Sequence, residues 1–216
     1  MPLITNKYIF SELEKLTIEN LINSDFTYHK WSGDNLESIR INLRNFYREV
    51  QRGKCPYCMK DISLSTAANA HVEHILPKSK FPQFMFEPSN LCVICAECNT
   101  AKNNGNVINE DEEDTCNGTA IRFPRVSSRF KIVNPHLDEY DEHIARLGIF
   151  YVDKTSKGHF TIGICKLNIV THKFGHDEGV IDDFSLMGLL TKYQSGTESE
   201  RREVYESIRS LIPRPL

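Results

Sequence analysis

No run of apolar residues approaches the roughly 18 needed to cross a bilayer, and the opening MPLITNKYIF has no long apolar core of the kind a secretory signal carries. The sequence therefore predicts a soluble cytoplasmic protein that does not enter a membrane. A basic excess is missing as well. The 216 residues carry 26 Lys and Arg against 29 Asp and Glu, a formal net charge of −3. The chain as a whole thus lacks the positive footprint with which nucleic-acid binders displace counterions from phosphates, and any hold on a polynucleotide has to be local. Internal repeats are absent, and so is a linker long enough to separate independent domains. What is present is ordinary globular composition, 40% apolar and 25% charged, in a chain long enough to bury a substantial core.

Cysteine occurs an odd number of times, seven. Four of these form two close pairs, Cys55/Cys58 and Cys95/Cys98, at the CxxC spacing of metal knuckles. In a reducing compartment that spacing points to zinc rather than to disulfides, and four thiolates about 2.3 Å from one ion satisfy its tetrahedral preference. The 36 residues between Cys58 and Cys95 exceed the ~15–20 of a simple zinc ribbon, so the metal would clamp the base of an inserted loop or hairpin. The register of the second knuckle is ambiguous, because CVICAEC contains Cys92, Cys95 and Cys98. Cys95 and Cys98 are the favoured pair, with Cys92 read as a thiol packed in an apolar run. Cys116 and Cys165 have no partner at knuckle spacing and receive no role.

Along the chain, residues 8–23 and 35–50 space Leu, Ile and Phe at helical intervals between charges. Cysteine, proline and asparagine dominate from 53 to 104. Five consecutive acids, Glu110 to Asp114, read as a solvated loop. The following 115–135 carries Arg122, Arg125, Arg129 and Lys131 without an acid, a segment able to track a phosphate backbone. Strands are expected at 147–153 and 159–167 around the turn KTSKG, and helices at about 178–193 and 198–211, the last capped by Thr197 or Ser199 and stopped by Pro213. The expected class is α+β: a mainly helical chain with a helical region over 1–52, a central finger over 53–108, an acidic then basic loop over 109–135, and a C-terminal α/β region over 136–216.

The stretch HVEHILPKS sits inside the zinc insertion. In an extended segment His71 and Glu73 share one face while His74 turns to the other. A carboxylate suits a hard divalent ion, and a neutral imidazole can take a proton from water. His71 is read as a strand residue with an auxiliary ligand role at most. In CNTAK, immediately after the second knuckle, Asn99 and Lys102 fall three apart on one face of a helix. An amide oxygen can ligate Mg²⁺ and an ammonium can hold a phosphate oxygen.

Taken together, Cys55-Pro-Tyr-Cys58, Glu73-His74-Ile75, Asn90-Leu91 and Cys95-Ala-Glu-Cys98-Asn99 with Lys102 resemble the motif order of HNH endonucleases of the zinc-clamped type. The resemblance implies a ββα-metal finger at the centre of the chain, with structural Zn²⁺ on Cys55, Cys58, Cys95 and Cys98. It implies a catalytic Mg²⁺ or Mn²⁺ on Glu73 and Asn99, His74 as general base, and Asn90 bracing the loop through its backbone. Lys102 and Lys78 would hold phosphate, and the substrate would be DNA. Glu73 stands where the family more often has Asp, and Asn99 replaces the final His of the motif. Over most of the chain, VEHILPKS, NPHLDEYDEHI and TIGICKLN resemble the HNH subunit of Septu-type and retron-associated anti-phage systems. That implies an ABC-type ATPase partner docked on the flanking regions, above all the C-terminal one. The competing expectation is a non-catalytic zinc module that binds DNA or protein.

Overall fold

The computed structural model describes residues 3–24, 26–109, 122–174 and 184–210. The acidic block Glu110–Asp114, Cys116, residues 178–183 of the expected penultimate helix, and Pro213 lie outside the described residues.

The first helix, α1 (Glu12–Ile22), begins later than the apolar spacing suggests because Ser11 caps it. Ser11 Oγ accepts from Glu14 N at 3.3 Å while the Glu14 carboxylate takes Ser11 N at 2.8 Å, a reciprocal capping box. Tyr8 stays outside the helix, packs edge-on against Phe46 at 5.4 Å and donates its hydroxyl to Glu14. A 3₁₀ turn over Asp34–Leu36 leads into α2 (Glu37–Val50), which buries Ile39, Leu43 and Tyr47 at four-residue intervals.

Strands β1 (His71–His74) and β2 (Leu91–Ile94) pair antiparallel, with Glu73 opposite Cys92 and His74 opposite Leu91. Helix α3 (Ala96–Lys102) follows β2 directly. The ββα order expected for the centre of the chain is therefore present. Helix α2 packs on the hairpin, and Gln51 just beyond its end donates to Val93 O at 2.6 Å and accepts from Val93 N at 2.8 Å. One side-chain amide thus satisfies the same backbone groups that a neighbouring strand would.

The C-terminal region departs from expectation. The short helix α4 (Tyr140–His143) leads into a hairpin of β3 (Ile144–Leu147) and β4 (Phe150–Asp153), turning at Gly148, whose φ of 59° is in the left-handed region. The segment expected as a second strand, 159–167, is largely helical: α5 runs Ser156–Ile164. Its alternation of apolar residues suits either state, and capping with tertiary burial decides the matter. Thr155 Oγ1 accepts from Gly158 N, and the buried positions Gly158, Thr161 and Cys165 recur at helical rather than strand spacing. At Gly158 a Cβ would lie 1.9 Å from the His143 carbonyl oxygen, so only glycine lets α5 approach α4 this closely. Helices α6 (Ile169–Phe174), α7 (Phe184–Ser195) and α8 (Glu198–Ser210) follow among the described residues. Thr197 and Glu200 form the capping box of α8.

One core joins Leu21, Leu43 and Tyr47 of the N-terminal helices to Leu91 and Val93 of the central hairpin and to Phe130, Ile132 and Ile144 beyond it. Among the described residues no helix is long and apolar enough to cross a membrane.

Candidate metal centre and nuclease site

The two knuckles are built differently. The first is a tight turn: Cys55 N donates to Lys60 O, Met59 N donates to Cys55 O, and Met59 takes a left-handed φ of 59° to close the loop. The second is a helix start, Cys95 being the N-cap residue of α3 with its sulfur accepting from Cys98 N at 3.4 Å. Together they bring the sulfurs of Cys55, Cys58, Cys95 and Cys98 within 4.8 Å of one another, all buried, with Cys58 and Cys95 Sγ 3.6 Å apart. A tetrahedron with ligands about 2.3 Å from zinc has edges of about 3.8 Å. The four sulfurs fit that ion. Crowding already polarises them: hydrogen bonds from Cys55, Cys58 and Cys98 hold the Cys95 thiol far below its ordinary range. Cys92 lies outside the cluster, fully buried on β2, as its apolar context implied.

The knuckle is clasped from the far end of the chain. Tyr151 donates to Cys58 O at 2.6 Å, Tyr140 to Tyr57 O at 3.1 Å, and Arg146 to Met59 O at 3.3 Å.

Strand pleating sends Glu73 and His74 to opposite faces. Glu73 faces α3, where Lys102 Nζ lies 2.5 Å from its Oε1 and 3.1 Å from the His74 carbonyl oxygen. The Lys102 side chain is 0% exposed and that of Glu73 12%. Lys102 is therefore committed inside the protein and does not project towards solvent. Lys78 is half-buried beside this pair, and burial, reinforced by Lys102 and opposed by Glu73, pulls its ammonium below its ordinary range. Asn99 lies one helical turn before Lys102, half-buried, with its backbone in the α3 ladder.

His74 points the other way, 3% exposed, with Nε2 3.0 Å from the Met85 carbonyl. That contact makes Nε2 the N–H donor of the neutral ring and leaves the lone pair on Nδ1. The indole of Trp31 meets the imidazole edge to face at 4.6 Å and also touches Phe86 at 6.0 Å. Burial, with Lys78 adding to it, pulls His74 down to about 3, so the ring is neutral across the physiological range. Asn90, fully buried, accepts from Leu76 N at 2.7 Å and donates to Leu76 O and Phe84 O. It ties together the loop that carries Lys78 and Met85. His71 bonds locally to the Ala68 carbonyl.

Glu73 on β1 carries a carboxylate and Asn99 on α3 an amide oxygen. These are hard oxygen ligands of the kind Mg²⁺ takes when water and substrate phosphate complete its shell. Sequence reasoning did not anticipate Trp31, Gln51 or the two tyrosines, each of which reaches the finger from a distant part of the chain.

Comparison with known proteins places this centre. Residues 55–105 match the family model for HNH endonucleases, so that segment is an HNH domain. The chain is 27% identical over 160 residues to the Septu protein PtuB of Bacillus thuringiensis, a match covering 74% of this chain and 50% of the relative. The chain thus spans about half the length of the curated relative it matches. No solved structure matches it.

Proposed function

We propose that this chain, which carries an HNH endonuclease domain at residues 55–105, is a metal-dependent endonuclease that hydrolyses DNA phosphodiester bonds. In this reading it is the nuclease effector of a bacterial anti-phage complex that also contains an ABC-type ATPase. The observation that carries the proposal is the buried four-cysteine cluster pinning α3 against the strand that holds Glu73 and His74. Its position within the HNH match and the likeness to a Septu protein support the assignment to defence.

Zinc in the four-cysteine cluster does no chemistry in this scheme; its binding free energy is folding free energy for the finger. His74, neutral and with one nitrogen occupied by the Met85 carbonyl, accepts a proton from the attacking water at its other nitrogen. Glu73 and Asn99 are the residues that would hold the cation, which supplies charge stabilisation at the phosphate when bound. Lys102 fixes the Glu73 carboxylate, so its part is orientation rather than the phosphate grip expected from spacing alone. Asn90 holds the loop that sets the Met85 carbonyl against His74.

The test is incubation of supercoiled plasmid with the complex co-purified from its native host, with and without added Mg²⁺ or Mn²⁺. Divalent-dependent nicking or linearisation that Glu73→Ala abolishes at unchanged zinc content is the expected result. Zinc retention with no cleavage under any of these conditions favours the non-catalytic zinc module instead.

A further inference from the structure

A net-acidic chain that acts on a polyanion needs a local cationic surface, and Lys102, sealed in its ion pair with Glu73, is not available to form one. Arg122 and Arg125 form a cationic surface. An open groove of about 780 Å³ runs between Gln83, Phe86 and Glu87 on one wall and Arg122 and Arg125 on the other, over the buried rings of Phe84 and Phe123. Its volume falls within the ~300–1,000 Å³ of ordinary ligand clefts. Both arginines are exposed, and Phe86 is half-buried with ring surface towards the groove.

One residue that lines the groove, Phe86, packs towards His74. Phe86 directly follows Met85, whose carbonyl bonds the His74 ring, and Phe86 and His74 contact the same Trp31 indole. Glu87, the single acid among the described residues that line the groove, has a structural duty. Glu87 Oε1 accepts from Ser89 N and so caps the turn over Pro88–Asn90 that delivers Asn90. Its other oxygen lies 3.9 Å from Arg125, a long pair in which the arginine side chain is 65% exposed. Such a contact contributes little and leaves the guanidinium available.

We propose that this groove docks a single-stranded segment of the polynucleotide substrate, with backbone phosphates on Arg122 and Arg125 and an unstacked base against Phe86. The strand is thereby held beside the loop whose Met85 carbonyl bonds His74. Guanidinium groups suit phosphate through paired N–H donors, and an aromatic face binds any base by stacking, which is sequence-tolerant. Both arginines lie outside the segment that matches the HNH family while Gln83, Phe86 and Glu87 lie within it, so the groove forms between that segment and the chain beyond it. The inference rests on the nuclease reading above.

The test is fluorescence anisotropy of a labelled oligonucleotide, single-stranded or duplex, titrated with zinc-loaded protein in buffer without other divalent ions. Arg122→Ala/Arg125→Ala should weaken single-strand binding at least about tenfold and lower the slope of log affinity against log salt by about 1.4, two phosphates at ~0.7 each. Phe86→Leu, which keeps the packing against Trp31, should weaken single-strand binding and leave duplex binding unchanged. Wild-type affinity and salt slope in the double-arginine variant, or no binding by the wild-type protein, would overturn the groove. Binding that depends on the groove in a protein that never cleaves would instead sink the nuclease reading and leave the groove standing. Cleavage by a protein whose arginine variants bind normally does the reverse.

Discussion

The ammonium of Lys102 lies 2.5 Å from a carboxylate oxygen of Glu73, and the lysine is wholly buried. Removing one partner of such a pair leaves an uncompensated buried charge, which costs about 3–5 kcal/mol. Lys102→Met should therefore lower unfolding free energy by that order in chemical denaturation of the zinc-loaded protein. Lys102→Met combined with Glu73→Gln should recover most of the loss, because no lone charge remains. A single variant within about 1 kcal/mol of wild type would mean that the pair opens to water.

Zinc content separates the cysteines by role. Cys55→Ala and Cys95→Ala should lose stoichiometric zinc and the protection of the β1/β2 hairpin from hydrogen exchange, whereas Cys92→Ala should retain one zinc per chain, as measured by elemental analysis. Zinc retained by Cys98→Ala but lost by Cys92→Ala would move the second knuckle to the other register, Cys92/Cys95.

The brace at Asn90 predicts a stability cost out of proportion to its size. Asn90→Ala removes three hydrogen bonds and strands Leu76 N inside the protein, for a loss of about 2–4 kcal/mol by denaturant titration. Serine at this position should not restore it, since one hydroxyl cannot span the Leu76 and Phe84 backbone groups together.

Buried His136 makes the fold sensitive to acid. Burial pushes its imidazole below the ordinary histidine range, against the hydrogen bond of its Nε2 with the Leu91 carbonyl, which acts the other way. The folded state therefore binds its proton more weakly than the unfolded chain. The corresponding stability is fully present above the unfolded value of about 6.5 and is lost as pH falls from there towards the folded value. His136→Gln, which keeps a donor for Leu91, should flatten the fall in unfolding free energy below pH ~6.5. An unchanged slope would show that the histidine titrates alike in both states.

What is legible in the sequence is chemistry carried by short spacings. The CxxC pairs, the Glu73-His74 step and the helical spacing of Asn99 and Lys102 are local, although α3 starts at Ala96 rather than after Cys98, and a strand's two-residue period alone puts Glu73 and His74 on opposite faces. Illegible parts depend on partners far along the chain. Trp31 meets His74 across 43 positions and Tyr151 meets Cys58 across 93, and no spacing rule encodes either contact. Lys102 reads as a phosphate ligand in the sequence because only tertiary structure reveals its burial against Glu73. Helix α5 reads as a strand for a related reason: its apolar residues are ambiguous in period, and the Gly158 approach to His143 that favours the helix is non-local.

The role proposed for His74, general base of the zinc-clamped site, is read out by the single-turnover cleavage rate of His74→Ala at wild-type zinc content. The measurement is made in the same host complex with saturating Mn²⁺. A general base contributes about 10²–10⁴-fold, so the account predicts a rate reduced by that factor with DNA affinity unchanged. A folded, zinc-loaded His74→Ala complex that cuts at the wild-type rate would contradict it.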